Sequence, residues 1–224
     1  MYIAIEGVIG VGKTTLARLL QPVFQASLLL EVFEENPFLS GFYADRQRYA
    51  FQTQIFFLLS RYHQQRSSVP ALLEQGLSLM SDYTFDKDAL FAGINISGDE
   101  LVTYYRVHEA LAEKIPPPDL MVYLRASTDV LMQRIALRDR SYERYMERAY
   151  IQELNHAYEN YFGSGEMGAR RAGSPVLAID TDHLNIIQHP QDLKWIENLI
   201  RQALRLAPYQ SELPLELEQG SQAS

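Results

Sequence analysis

The stretch Gly7-Val8-Ile9-Gly10-Val11-Gly12-Lys13-Thr14 fits the pattern Gly-x4-Gly-Lys-[Ser/Thr] at every position. Gly7 closes a β-prone run over residues 2–6 and permits a sharp turn. Gly10 and Gly12 carry no side chain, so the backbone N–H groups of the loop, those of Val8, Ile9 and Val11 included, can curl around a phosphate. Leu16, Leu19, Leu20 and Val23 follow at helical spacing within residues 14–24. That helix turns its positive N-terminal end toward the same phosphate. Lys13 neutralises charge on the β and γ groups, the Thr14 hydroxyl offers a ligand to magnesium, and Thr15 adds a contact to the α-phosphate. A strand before the loop and a helix after it make this a nucleotide-binding loop rather than a plain glycine-rich turn.

Outward from the loop, strand and helix alternate. Residues 27–33 form a short apolar run with the length of a buried strand, followed by a turn at Asn36-Pro37. Residues 48–65 read as a long helix whose stripe, Phe51, Ile55, Leu58, Leu59 and Tyr62, is widened by Phe56 and Phe57. Further strands are expected at 77–83, 119–125 and 175–180, and further helices at 86–92, 99–114, 128–137, 147–161 and 191–206. Ser127 suits an N-cap. No hairpin signal separates the strands, so the pattern predicts an α/β fold: a five-stranded parallel sheet with helices on both faces. Residues 163–173 read as a flexible connector, and the polar end from Pro208 onward as a frayed tail.

Composition narrows the class. The chain has 224 residues, of which 47% are hydrophobic, enough for one large domain or for one domain with a small lid. We expect a single domain over 1–206, with a lid at about 138–146, and a tail over 207–224. The balance of 20 basic against 28 acidic residues, net −8, argues against a nucleic-acid partner. No run approaches a membrane span, and the N-terminus lacks the features of an export signal, so a cytoplasmic protein without a membrane partner is expected. There is no cysteine, which excludes thiolate chemistry, and the five histidines have no metal-ligand spacing.

No Asn-Lys-x-Asp clamp marks a GTPase, and Ser81-Asp82-Tyr83 is not a GTPase switch. A small nucleoside or nucleotide kinase needs an acid near the acceptor, an acceptor pocket and an arginine-rich lid. Arg134, Arg138, Arg140, Arg144 and Arg148 supply the lid candidate, since guanidinium forks grip phosphate oxygens in pairs.

The segments IEGVIGVGKTT, LLLEVFEENPFLSGFYAD, RYAFQTQIFFLLSRY, SDYTFDKDALFA and YLRASTDVLMQRIALRDR together resemble the deoxynucleoside kinase family, most closely its bacterial deoxyadenosine/deoxyguanosine branch. The resemblance implies a P-loop kinase fold, ATP and Mg2+ as donor and cofactor, a deoxyribonucleoside acceptor and a homodimer. By position it implies that Glu31 is the catalytic carboxylate, with Glu34 or Glu35 as alternatives because this chain lacks the usual Glu-Pro. Tyr43 matches a residue bonding the sugar 3′-hydroxyl, and Gln52 one reading the base edge. Phe51 and Phe85 either sandwich the base or belong to the core. Arg138 and Arg140 match lid arginines, and Glu143 a lid acid near the sugar. Where many relatives have Glu-Arg-Ser, this chain has Ser81-Asp82-Tyr83. Asp82 then either orients magnesium or acts as an alternative base, and Lys87 replaces the absent arginine. The expected reaction is phosphorylation of the 5′-hydroxyl of a purine deoxyribonucleoside. A thymidylate-type monophosphate kinase and a non-catalytic nucleotide sensor are the rival readings.

Overall fold

The computed structural model describes residues 1–33, 35–144, 146–163 and 174–208. Five strands, β1 (Tyr2–Gly7), β2 (Ala26–Leu29), β3 (Ser78–Ser81), β4 (Leu120–Arg125) and β5 (Val176–Asp180), form one parallel sheet in the order β2-β3-β1-β4-β5. Every residue of β1 is buried, as is all of β4 except its last. Successive side chains point to opposite faces, so burial at both parities means that both faces are covered. The cover comes from eight helices among the described residues: α1 (Lys13–Phe24), α2 (Leu39–Ala44), α3 (Arg46–Glu74), α4 (Asp86–Asn95), α5 (Gly98–Ala112), α6 (Thr128–Arg138), α7 (Arg148–Tyr158) and α8 (Pro190–Ala203). No described helix is long and apolar enough to cross a membrane.

The expected alternation holds, with instructive differences in extent. β2 stops at Leu29 rather than at Phe33, because this edge strand has only β3 to pair with and that ladder ends at Leu29 opposite Ser81. Leu30 and Glu31 therefore run on past the sheet edge. They are held by side chains instead: Gln64 Nε2 donates to the Leu30 carbonyl at 3.0 Å, and the Glu31 N–H donates to Asp82 Oδ1 at 2.8 Å.

The third helix runs on to Glu74 rather than ending at residue 65. Its polar stretch from Gln64 to Ser68 looks like a terminus. Val69, Leu72 and Leu73, however, pack on a small second core of Tyr2, Ala4, Leu29, Leu79 and Tyr83, and that burial outweighs weak local propensity. Asp45 caps its start by accepting from the Arg48 N–H, and α2 just before it went unread because it is only one and a half turns long. Of the expected connector at 163–173, Gly163 ends a short π-helical turn, Glu159–Gly163, and residues 164–173 lie outside the described residues, as does the tail beyond 208.

Candidate active site

The glycine loop sits where β1 ends and α1 begins, at the carboxyl edge of the sheet where open α/β folds bind ligands. Gly7 has φ +147°, and a Cβ there would lie 2.5 Å from the Leu124 carbonyl oxygen. Gly10 has φ +89°, and its Cβ would meet Ile135 Cγ1 at 2.7 Å. Side chains are thus excluded both by backbone conformation and by the close approach of β4 and α6. Val8 and Val11 turn into the core, so what they offer a ligand is backbone. Lys13 Nζ donates to the Gly7 and Val8 carbonyls at 2.7 and 3.2 Å. Burial, and after it the Lys87 cation, brings the Lys13 ammonium down to about 8.

One cleft opens beside the loop. Its lining brings together Ile9, Gly10, Lys13, Thr14, Glu31, Tyr43, Asp82, Lys87, Arg138, Arg140 and Glu143, which reach it from six different parts of the chain. At its centre Glu31 accepts from Lys87 Nζ at 2.6 Å and from Arg61 Nε at 3.2 Å, and Arg61 also pairs with the buried Asp88. Burial alone would raise the Glu31 carboxyl. The Arg61 and Lys87 charges overcome it and hold the group well below the usual carboxylate range, so Glu31 is a carboxylate at any working pH. Asp82 bridges two elements: one oxygen accepts from the Glu31 N–H and the other contacts the Thr14 hydroxyl. Asp82 and Thr14 thus present hard oxygens to one point beside the loop, a donor set that suits Mg2+ completed by phosphate oxygens and water.

The lid stretch holds a short 3-10 turn, Ser141–Glu143. Arg138 donates to the buried Glu143 through Nε at 3.0 Å and Nη2 at 2.7 Å, and Arg140 stands 4.2 Å over the Phe33 ring. The other three arginines serve elsewhere. Arg134 ties α6 to the Val11 carbonyl and to Thr181, while Arg144 and Arg148 make exposed pairs with Asp139 and Asp129. Tyr43 stacks on Tyr142 with ring centroids 6.0 Å apart, and Phe33, Phe57 and Phe91 complete an aromatic wall.

Three expected base contacts are elsewhere. Phe85 is a core residue, its ring stacked on His108 at 4.8 Å, because the turn after β3 directs it inward beneath α5. Phe51 packs half-buried against the core and does not line the cleft. Gln52 is exposed. The helix phase that brings Phe57 and Arg61 inward carries Gln54 with them, a buried carboxamide whose Oε1 has no hydrogen-bond partner; Gln65, further along the same helix, is buried as well. Glu35 is exposed, and Glu34 lies outside the described residues. Arg61, Asp88, Phe33, Phe57, Phe91 and Tyr142 were missed as site residues. The signal for Arg61 was an arginine on the apolar face of a helix.

A second, larger groove adjoins the loop on its other side. Gly10, Val11, Gly12 and Thr15 form its floor and Arg134 and Arg138 one edge. Leu137 and Ile187, 86% and 75% exposed, stand at its walls.

Residues 3–205 match the model of the deoxynucleoside kinase family. The chain belongs to that family. It is 31% identical to a deoxyguanosine kinase of Bacillus subtilis (strain 168) over 203 residues, 91% of this chain and 97% of that one. It is 35% identical to a deoxyadenosine kinase of Dictyostelium discoideum, over 71% of this chain and 66% of that protein. Among solved structures, the deoxyadenosine kinase of M. mycoides with bound dATP superposes with a TM-score of 0.76. That match covers 90% of this chain and all of the other at 25% identity. As a deoxynucleoside kinase, the chain has the P-loop kinase fold expected from its glycine loop and parallel sheet.

Proposed function

We propose that this deoxynucleoside kinase transfers the γ-phosphoryl group of ATP to the 5′-hydroxyl of a purine deoxyribonucleoside, the deoxyadenosine/deoxyguanosine class named for its relatives. The observation that carries the reading is the ionised Glu31, held by Lys87 and Arg61 in the same cleft as Lys13. Glu31 accepts the hydroxyl proton as the oxygen attacks. Lys13, Arg138 and Arg140 hold phosphate oxygens and spread the charge of a loose transition state. Tyr43 and Glu143 hold the sugar, and Gln54 takes the base-reading role first given to Gln52. The glycine loop from Gly7 to Thr15 cradles the triphosphate, and the apolar groove between Leu137 and Ile187 takes the donor base. Thr14 and Asp82 would hold Mg2+, which would supply positive charge to offset that of the phosphates. Arg138 must exchange Glu143 for phosphate, so we place a lid at about 138–146 in a single domain over 1–206. A cytoplasmic location belongs to the same proposal.

The monophosphate-kinase reading needs a basic clamp for the acceptor's own phosphate. Arg46 and Arg48 lie over Tyr150 and Tyr49, outside the cleft, and Arg61 is committed to two carboxylates. Purified protein is therefore expected to phosphorylate deoxyadenosine or deoxyguanosine and to leave their monophosphates untouched. Transfer to the monophosphates would overturn the acceptor assignment, and ATP binding without turnover would favour the sensor.

We also propose a homodimer through α3. This helix packs on α2, α4, α5 and β3, yet Leu59 remains 42% exposed with Phe56 half-buried beside it. Sedimentation at micromolar concentration should give twice the chain mass, and a monomer would remove the proposal.

A further inference from the structure

Glu6, the last residue but one of β1, has no part in the chemistry above, yet its carboxylate is wholly buried. Its bonding is unusual for such a group. Oε1 accepts from the Thr84 N–H at 2.6 Å and from the Thr84 hydroxyl at 2.9 Å. Oε2 accepts from the Gly7 N–H and the Tyr158 hydroxyl, both at 3.2 Å. All four donors are neutral, and no Lys or Arg pairs with Glu6 among the described residues. An ionised carboxylate taken out of water without a cation is costly even when its lone pairs are filled. A stable fold alone does not call for a charge here.

The three residues it joins belong to three segments around the cleft. Gly7 opens the phosphate loop. Thr84 lies two residues beyond Asp82 and three before Lys87, on the segment that carries the acceptor-side charges. Tyr158 ends α7, the first helix after the lid. Asp82 in turn touches Thr14 and the Glu31 N–H, so a slip of the Thr84 segment against Gly7 displaces donor and acceptor groups relative to each other. Four hydrogen bonds from three residues fix the Glu6 carboxyl in one place, which is the property such a brace requires.

We propose that Glu6 is a positioning residue for the transfer step. It is a buried carboxylate brace that keeps the phosphate loop in register with the Asp82–Lys87 segment and the helix leaving the lid. The proposal rests on the reading of Glu31, Lys13 and Asp82 given above.

The test compares Glu6→Gln, Thr84→Val and Tyr158→Phe with the unmodified protein. The readouts are kcat, KM for deoxynucleoside and for ATP, and the thermal midpoint, with Asp82→Asn and the Glu6→Gln/Asp82→Asn pair included. Glutamine keeps the shape but turns an N–H toward Gly7 and Tyr158. Glu6→Gln is expected to lower kcat at least about tenfold with the nucleoside KM within about twofold, because misregister costs the transition state and not acceptor binding. The pair should turn over within about threefold of Asp82→Asn alone, since both changes act on one register. Thr84→Val should give a smaller loss of kcat with the same KM pattern. Native kcat in folded Glu6→Gln, a loss that only tracks the folded fraction, or a fully multiplicative pair would each overturn the proposal. If Glu6→Gln does not fold, the two milder variants decide, and native kcat in both overturns it. An unmodified protein inert toward every deoxynucleoside would instead sink the functional reading itself, so the two failures are distinct.

Discussion

Glu31→Gln is expected to lower kcat by about 10²–10⁴-fold, the range in which a positioned general base contributes. Steady-state turnover of the purine deoxynucleoside checks it, and near-native turnover in folded protein would refute the base assignment. Two effects act together. Glutamine cannot take the 5′-hydroxyl proton, and it leaves Lys87 without its carboxylate and Arg61 with Asp88 alone. Breaking a buried pair from one side costs up to about 3–5 kcal/mol, so chemical denaturation should show the variant less stable as well as slower. The pH dependence of that difference has a definite sign. The Glu31 carboxyl is depressed in the folded protein by Arg61 and Lys87, so its stabilisation is fully present above the unfolded carboxylate value. That contribution is lost only as pH falls through the depressed folded value. The Glu31 titration itself should therefore leave the gap between wild type and variant unchanged from about pH 5 upward and shrink it only in stronger acid, while Asp88, raised to about 6 by burial and to a lesser degree by the Glu31 charge, adds a separate change near pH 6.

How far the sequence reached can be argued from the same residues. The loop was legible because its whole mechanism is local: eight consecutive positions, a strand before and a helix after. Lys13 and Thr14 needed nothing remote to be read. Glu31 was legible only through family likeness, since the partners that make it a poised carboxylate, Arg61 and Lys87, lie 30 and 56 residues away. No local pattern specifies that meeting. It follows from β2 and β3 pairing in register and stopping together, which leaves Glu31 and Asp82 side by side beyond the sheet edge. The helix phase of α3 was the other weak point. Gln52 and Gln54 are two residues apart, and that is more than half a helical turn, so Gln52 faces solvent while Gln54 faces inward. In the sequence Phe85 stays open between base contact and core for a related reason. It sits between the end of β3 and the start of α4, where neither period applies, and its contacts with His108 on α5 and Tyr62 on α3 place it in the core.

Lys13→Met should lower kcat by about 10²–10³-fold, the scale for removing one preorganised electrostatic donor from a transferring group. The deoxynucleoside KM should stay close to wild type, since the sugar-side groups Tyr43 and Glu143 make no contact through Lys13. Its pH behaviour separates this lysine from a merely structural one. In the free protein, burial and the neighbouring Lys87 cation bring Lys13 to about 8. A triphosphate bound across the loop places negative charge against the same ammonium and raises it again. Above about pH 8, ATP binding must then take up a proton, and its affinity must fall as pH rises, because the free protein has already surrendered that proton. Calorimetry in two buffers of different ionisation enthalpy at pH 8.5, the value chosen to lie just above that titration, measures the uptake directly. It should be present in the wild type and absent in Lys13→Met. Uptake that persists undiminished in the variant would assign the proton elsewhere and remove Lys13 from the charge-spreading role. Uptake lost together with kcat would tie both to one ammonium, which in the free protein donates hydrogen bonds to the Gly7 and Val8 carbonyls and in the complex would donate them to the phosphates.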